Sequence, residues 1–451
     1  MKPKGRGIIF CWLALIILLL GVQTHAAVKD QFLLRVEADE ADEVAALHGL
    51  TILSRLESQD LFLVQGPPGA DPQTLIDDVL VDARVSAFEV NSEAVLPESP
   101  PDVQLNQSTV AILDALADRN LMPYFGNSVW AGYVNQPAAG VIRVADAHTF
   151  YATGTEIVAV IDTGVDPNHE ALADSLVPGF DFTRNLPGFA SEWNDLDQST
   201  VAILDQSTVS ILDGSIPAIL NQSTVAILDQ STVSILDGSQ LPAAFGHGTM
   251  VAGLVHLVAP TAQIMPLKAF KADGSSNAFD IIRAIYFAVD NGARVINMSF
   301  SLSEPSGELI RAITFAAGGR FRVLSVASAG NSAQGTVLVF PAALQNVVSV
   351  ASTDNLDVLS PFSNFGPALV SLAAPGEGLI TTYPGNHYAA AWGTSFSAAL
   401  VSGGGALLLQ IDPRMSQNKS AATLIETSAQ SSPDLGAGRL DLVEALAKRA
   451  R

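Results

Sequence analysis

The chain has 451 residues, of which 48% are hydrophobic and only 15% charged, so it carries enough apolar side chain for a large buried core plus a smaller unit and is not an intrinsically disordered protein. Its formal net charge of −22 argues against nucleic acid as a partner, because a phosphate backbone selects a basic face. The one cysteine, Cys11, lies in the first apolar segment and has no lipobox before it, which excludes a disulfide framework.

In chain order, residues 1–26 read as a secretory signal peptide. Lys2, Lys4 and Arg6 make a basic start, Ile8 to Gly21 is apolar, and Thr24-His25-Ala26 offers small residues for cleavage. That apolar run is too short to span a bilayer comfortably, so no stable membrane anchor is expected and the mature chain is expected outside the cytoplasm, secreted or periplasmic. Residues 27–97 predict a small α+β unit: strand "QFLLRVE", helix "DEADEVAALHGL", strand "LFLVQG", helix "PQTLIDDVLVD" and a last strand "SAFEVNSEAV". "PESPPD" opens a linker over 98–139, much of which has no readable pattern.

From residue 140 to 447 the pattern changes. "EIVAVID", "AQIMPLKAF", "RVINMSF", "RVLSVASAG" and "VVSVAST" are near-continuous apolar strands, and "AFDIIRAIYFAVDNG" and "SGELIRAITFAAGG" are helical. Such alternation predicts an α/β fold, a parallel sheet with helices on both faces, whose working residues gather at the C-terminal ends of the strands. Three residues stand at such places. Asp162 ends "IVAVID", His247 opens "HGTMVAG", and Ser395 lies at the mouth of the apolar helix "GTSFSAALVSGGGALLL". A serine there feels the positive end of the helix dipole. Singly these are weak signals; in the order Asp, His, Ser they match one of the known chain orders of the hydrolytic triad.

Between Asp162 and His247 lies an octad repeat. "QSTVAILDQSTVSILD" begins at Gln198 and recurs unchanged from Gln222, within six octads covering 198–245, and a lone "QSTVAILD" sits upstream at 107–114. The repeat is an insertion on the loop side of the sheet. Two readings stand: a surface loop grown by duplication, or a ribbon of short strands, with Asp-Gly turns at 213–214 and 237–238, that shapes substrate access or self-association. The upstream copy is placed to pair with it edge to edge.

The motifs "VAVIDTGVDPNHEAL", "GHGTMVAG", "VINMSFS", "VASAGNS", "FSNFGP", "LAAPG", "GTSFSAALVSG" and "LGAGRLDLVEAL" occur in the order of the subtilisin-like serine proteases, and the chain resembles that family over about residues 140–447. The 27–97 unit resembles the propeptide that these enzymes carry as folding assistant and inhibitor. The resemblance implies a secreted endopeptidase acting on proteins or peptides, made as a self-processing precursor. It implies Ser395 as nucleophile, His247 as base, Asp162 as its orienter and Asn331 in the oxyanion hole. It further implies that Ser299, Phe300, Ser301, Ser328, Ala329 and Gly330 line the substrate pocket with Val339 at its base, a neutral surface suited to small or apolar side chains. Met250, Phe396 and Ala399 depart from the family pattern without removing a reacting atom. His169 matches a structural position, and His48, His148, His256 and His387 belong to no motif. No cofactor is implied for catalysis, and no defined ligand set supports the structural calcium that family members often bind. Two rivals are a catalytically silent binding or assembly protein on the same fold, and an esterase. Against the esterase, Ser395 sits in Gly-Thr-Ser-Phe-Ser rather than a Gly-x-Ser-x-Gly elbow.

Overall fold

The computed structural model describes residues 30–96, 118–196, 225–227 (backbone only), 242, 244–302, 304–429 and 432–450. The expected signal peptide, the upstream octad and nearly all of the octad insertion lie outside these residues.

The N-terminal unit is a four-stranded antiparallel sheet of β1 (Gln31–Arg35), β2 (Thr51–Leu56), β3 (Leu61–Gln65) and β4 (Ala87–Val90), in the order β2-β3-β1-β4. Helices Ala41–Leu47 and Pro72–Val79 cover one face around Phe32, Leu34, Phe62 and Val64. Asp71 accepts the Thr74 N–H and Pro72 follows at the first helical position, so the second helix starts where its sequence dictates. The alternate side chains Leu33 and Leu61 point the other way, into the core of the larger domain. β2 was not expected from the sequence. The expected last strand, 86–95, is divided: β5 (Glu93–Val95) leaves the sheet and pairs elsewhere.

The unpatterned stretch before residue 135 holds a hairpin of β6 (Leu121–Tyr124) and β7 (Asn127–Trp130), with Phe125 and Gly126 both at positive φ in the turn. The main sheet follows. Its strands are β8 (Ile157–Asp162), β9 (Gly179–Asp181), β10 (Leu186–Gly188), β12 (Gln263–Lys268), β14 (Val295–Met298), β15 (Leu324–Ser328), β16 (Val347–Thr353) and β17 (Leu372–Pro375). Their order is β10-β9-β12-β8-β14-β15-β16-β17, and every neighbouring pair is parallel except β10 with β9. Between these in sequence, β11 (Val225–Ile227) and β13 (Ser275–Asn277) are short. β18 (Leu379–Tyr383) and β19 (His387–Ala391) form a hairpin that β11, part of one octad, extends antiparallel.

Strand alternation divides the core. Val158 and Val160 face helices His247–Val258 and Thr394–Ile411, while Ala159 and Ile161 face helices Ala278–Asp290 and Gly307–Ala317. Each fully buried Val, Leu or Ile on these faces contributes about 1.5–3 kcal/mol. Thr394–Ile411 is apolar and long enough to cross a membrane, but it is buried here as the central helix of the core.

Candidate active site

β8, β14 and β15 are adjacent in the sheet, and their C-terminal ends deliver Asp162, Ser299 and Ser328 to one edge. Asp162 is fully buried. Its Oδ1 accepts from His247 Nδ1 at 2.7 Å and from the Thr163 N–H at 2.8 Å. A carboxylate can only accept, so the proton is on Nδ1 and the lone pair is left on Nε2. Burial by itself would lower the His247 pKa; the facing Asp162 and then Glu192 carboxylates outweigh it and raise the value above 6.5.

His247 opens its helix against the Asp162-Thr163-Gly164 turn. The approach is close enough that a Cβ on Gly248 would stand 2.0 Å from the Gly164 carbonyl oxygen, so glycine is required after the histidine. The Gly248 N–H donates to Thr163 Oγ1 at 2.9 Å, locking helix to turn.

Ser395 is the second residue of the Thr394–Ile411 helix, after Gly393 at φ +148°. A buried relay fixes this helix start to the end of β14. Ser402 Oγ donates to Asn297 Oδ1, Asn297 Nδ2 to Ser299 Oγ, and Ser299 Oγ to the Ser395 carbonyl, each at 2.9 Å. The Ser395 hydroxyl donates to the Ser299 carbonyl at 3.4 Å, a long bond that costs little to give up. The His247 ring lies beside that of Phe396, the residue after Ser395, with centroids 5.4 Å apart.

Asn331 follows β15. Its Oδ1 accepts from the Thr394 N–H at 3.0 Å and from Thr394 Oγ1 at 2.8 Å, which fixes Oδ1 inward and turns Nδ2 the opposite way. A Cβ on Gly393 would come within 3.3 Å of Nδ2. The loop carrying Asn331 is held by buried Asn364. Its Nδ2 donates to the Ala329 carbonyl at 2.8 Å, and its Oδ1 accepts from the Ser332 and Gln334 N–H groups at 3.1 and 3.0 Å.

Of the expected pocket residues, Ser301 is half-buried and pairs with Val95 of β5. Ser328 and Ala329 are buried at the end of β15, and Val339 flanks Gly330. The Phe300 ring is turned into the core against Phe270, with centroids 5.1 Å apart. Met250, Phe396 and Ala399 are all buried. His169 bridges the His387 carbonyl at 2.9 Å and the Ala171 N–H at 3.2 Å, and His148 contacts the Val258 carbonyl at 2.8 Å. His256 is buried against Ser175 Oγ, and His48 lies 3.5 Å from Asp82. Among the described residues no group of three or more His, Cys, Asp or Glu side chains could hold a metal ion.

The sequence reading missed Glu192. Its carboxylate bonds Thr163 Oγ1, the Gly248 N–H at 3.1 Å and Thr249 Oγ1 at 2.5 Å. A lone acid in a loop beside a repeat carries no local signal, because its partners lie 29, 56 and 57 residues away.

Residues 154–442 match the Subtilase family. The chain is 31% identical over 320 residues to the thermophilic serine proteinase of Bacillus sp. (strain AK1), covering 66% of each chain. It is 36% identical over 180 residues to subtilisin Savinase of Lederbergia lenta, 38% of this chain and 65% of that one. Thermitase of Thermoactinomyces vulgaris is 29% identical over 278 residues, 59% of this chain and 77% of that one. Fervidolysin from Fervidobacterium pennivorans, a keratinolytic enzyme related to subtilisin, superposes with a TM-score of 0.67 over 93% of this chain and 61% of its own, at 19% identity, a likeness of fold. The chain thus spans about two thirds of the length of the AK1 proteinase and Savinase. With the family pattern covering the main sheet and the four residues Asp162, His247, Asn331 and Ser395, the chain belongs to the subtilase family.

Proposed function

We propose that this chain is a secreted serine endopeptidase, synthesised as a precursor that processes itself, with residues 1–26 as signal peptide, 27–97 as inhibitory propeptide and 140–447 as catalytic domain. The observation that carries the reading is the Asp162–His247 pair at 2.7 Å beside a helix whose first turn holds Ser395. In the proposed reaction the Ser395 hydroxyl leaves the Ser299 carbonyl and turns to His247 Nε2. Oγ attacks the scissile carbonyl carbon while Nε2 takes its proton. The tetrahedral oxyanion accepts from Asn331 Nδ2 and the Ser395 N–H. Collapse breaks the C–N bond, and the leaving amine takes the proton from His247. Water then repeats the cycle to release the acid.

The self-processing part is supported by how the N-terminal unit sits. β5 pairs antiparallel with β13, and Val95 bridges to Ser301, so residues 93–96 run along the edge of the expected substrate pocket. Leu96 donates to the Gly274 carbonyl at 3.1 Å, and Ala94 and Leu96 are buried. Antiparallel backbone pairing is how a protease edge holds an extended peptide. Glu89 fastens the unit from the side: its carboxylate accepts from Ser306 Oγ at 2.6 Å and from the Gly307 and Glu308 N–H groups, at the N-terminus of a helix where a negative charge is favoured.

Expression of wild type and Ser395→Ala tests this. The wild type is expected to hydrolyse a peptide and to appear as a shortened mature chain. The variant is expected to remain full length after signal removal and inactive. A variant that matures normally and turns over substrate contradicts the reading.

A further inference from the structure

We propose that Glu192 is a positioning residue for the hydrolytic reaction, setting both the spacing and the proton affinity of the Asp162–His247 pair. The inference rests on the serine endopeptidase reading of that pair.

Glu192 is completely buried, and it bonds both elements that carry the pair. On one side its Oε1 accepts from Thr163 Oγ1, next to Asp162 in the chain. On the other it accepts from the Gly248 N–H and from Thr249 Oγ1, in the first turn of the His247 helix. Thr249 Oγ1 also accepts from the Asp166 N–H at 2.8 Å, so the same hydroxyl ties in the chain beyond the turn. The carboxylate is therefore a clamp between the strand end and the helix start that the Asp162–His247 bond also joins. A buried carboxylate is costly unless hydrogen-bonded, and this one accepts from three donors on the two elements it joins.

The charged and titratable groups around it define its role. Asp162 faces it from β8, His247 from the helix, Lys268 from β12 and the Tyr383 hydroxyl from β18. The Lys268 ammonium is fully buried and is held by the Thr163 and Phe270 carbonyls, at 2.7 and 2.8 Å, and by Asp195 Oδ2 at 2.6 Å. Burial pushes the Glu192 carboxyl up to about 7, against the pull of its threonine hydrogen bonds and Lys268. When ionised the carboxyl favours the imidazolium form of His247.

Glu192→Gln keeps the shape and removes the charge, while Glu192→Ala removes the clamp. With an active wild type and an inactive Ser395→Ala control, kcat and KM for a short peptide are measured from pH 5 to 9. The acid limb of kcat/KM in Glu192→Gln is expected to move down by roughly 0.5–1 pH unit, because His247 loses a negative neighbour. Glu192→Ala is expected to lose kcat by roughly 10- to 100-fold with KM little changed, as misplacement of a catalytic group does. An unmoved Glu192→Gln profile overturns the inference, as does a Glu192→Ala effect confined to KM. If Glu192→Ala fails to fold, the Glu192→Gln profile decides. A wild type with no turnover fails the endopeptidase reading and takes this inference with it; an active wild type beside an unmoved Glu192→Gln profile fails the inference alone.

Discussion

Val95 and Ser301 exchange both of their backbone hydrogen bonds, at 3.1 and 2.9 Å, across the junction between the N-terminal unit and the main domain. The pairing continues on the other side of the same segment, where Val95, Ala94 and Glu93 lie opposite Ser275, Ser276 and Asn277. Residues 93–95 are thus a middle strand between Ser275–Asn277 and Ser301. A unit with its own core is anchored to the main domain through its last strand.

That anchoring yields a prediction about inhibition. Arg35 grips Glu308, its Nε 2.9 Å from each carboxylate oxygen, and Glu308 is 1% exposed. Residues 27–97 added as a separate chain are expected to inhibit the mature enzyme. Arg35→Ala in that chain is expected to weaken binding by about 2–5 kcal/mol, since it leaves the buried Glu308 carboxylate with Arg311 alone, a rise in inhibition constant on the order of 30-fold or more. An unchanged inhibition constant counts against the observed seat of the unit.

The oxyanion geometry makes a separate prediction. Thr394 fixes the Asn331 carboxamide through Oδ1 alone. Asn331→Ala removes the donor and, with it, the acceptor of the Thr394 N–H and hydroxyl at the helix start. It is expected to lower kcat by about 100- to 1,000-fold, the cost known for subtilisin's own oxyanion asparagine, with KM nearly unchanged. A loss seen only in KM removes Asn331 from the oxyanion hole.

The pH dependence has a defined sign. His247 must be neutral to accept the serine proton, and its pKa is raised above 6.5 by Asp162 and Glu192 against the opposing effect of burial. Activity is therefore low where the imidazolium persists and rises as pH climbs through the raised value. The acid limb of kcat/KM is expected to have its midpoint above 6.5, and a midpoint at or below that value contradicts the electrostatics described. Stability runs the other way. A raised folded-state pKa contributes stability that is fully present below the unfolded value and fades as pH passes the folded one.

Much of this was legible in the sequence, for physical reasons. The parallel strands β8, β12, β14, β15 and β16 are buried on both faces, so they read as apolar runs. Asp162 and His247 are framed by small residues because backbones there must approach closely, as Gly164 and Gly248 demonstrate, and Ser395 follows Gly393 at φ +148°. Other elements were silent. β17 and β19 are rich in alanine, which has little strand propensity, and their pairing is set by neighbours far along the chain. β2 is an edge strand with a register shift between Ile52 and Ser54, so its alternation is broken. The β6–β7 turn uses Phe125 at positive φ, a residue that no turn pattern selects. The last strand of the N-terminal unit divides after Val90 because Asn91 and Ser92 are taken by the Ala278–Asp290 helix. The Phe279 N–H donates to Asn91 Oδ1 and the Ala278 N–H to the Ser92 carbonyl. Such partners lie nearly 190 residues away and leave no local trace.

The central claim is that Ser395 is a nucleophile activated by His247, and covalent labelling tests it most directly. The mature protein is incubated with a fluorophosphonate probe at pH 8, digested and mapped by mass spectrometry, beside His247→Ala. The account predicts one modification, on Ser395, formed by the wild type and lost in the variant. No labelling of an intact wild type, or equal labelling of Ser395 in both proteins, would contradict it.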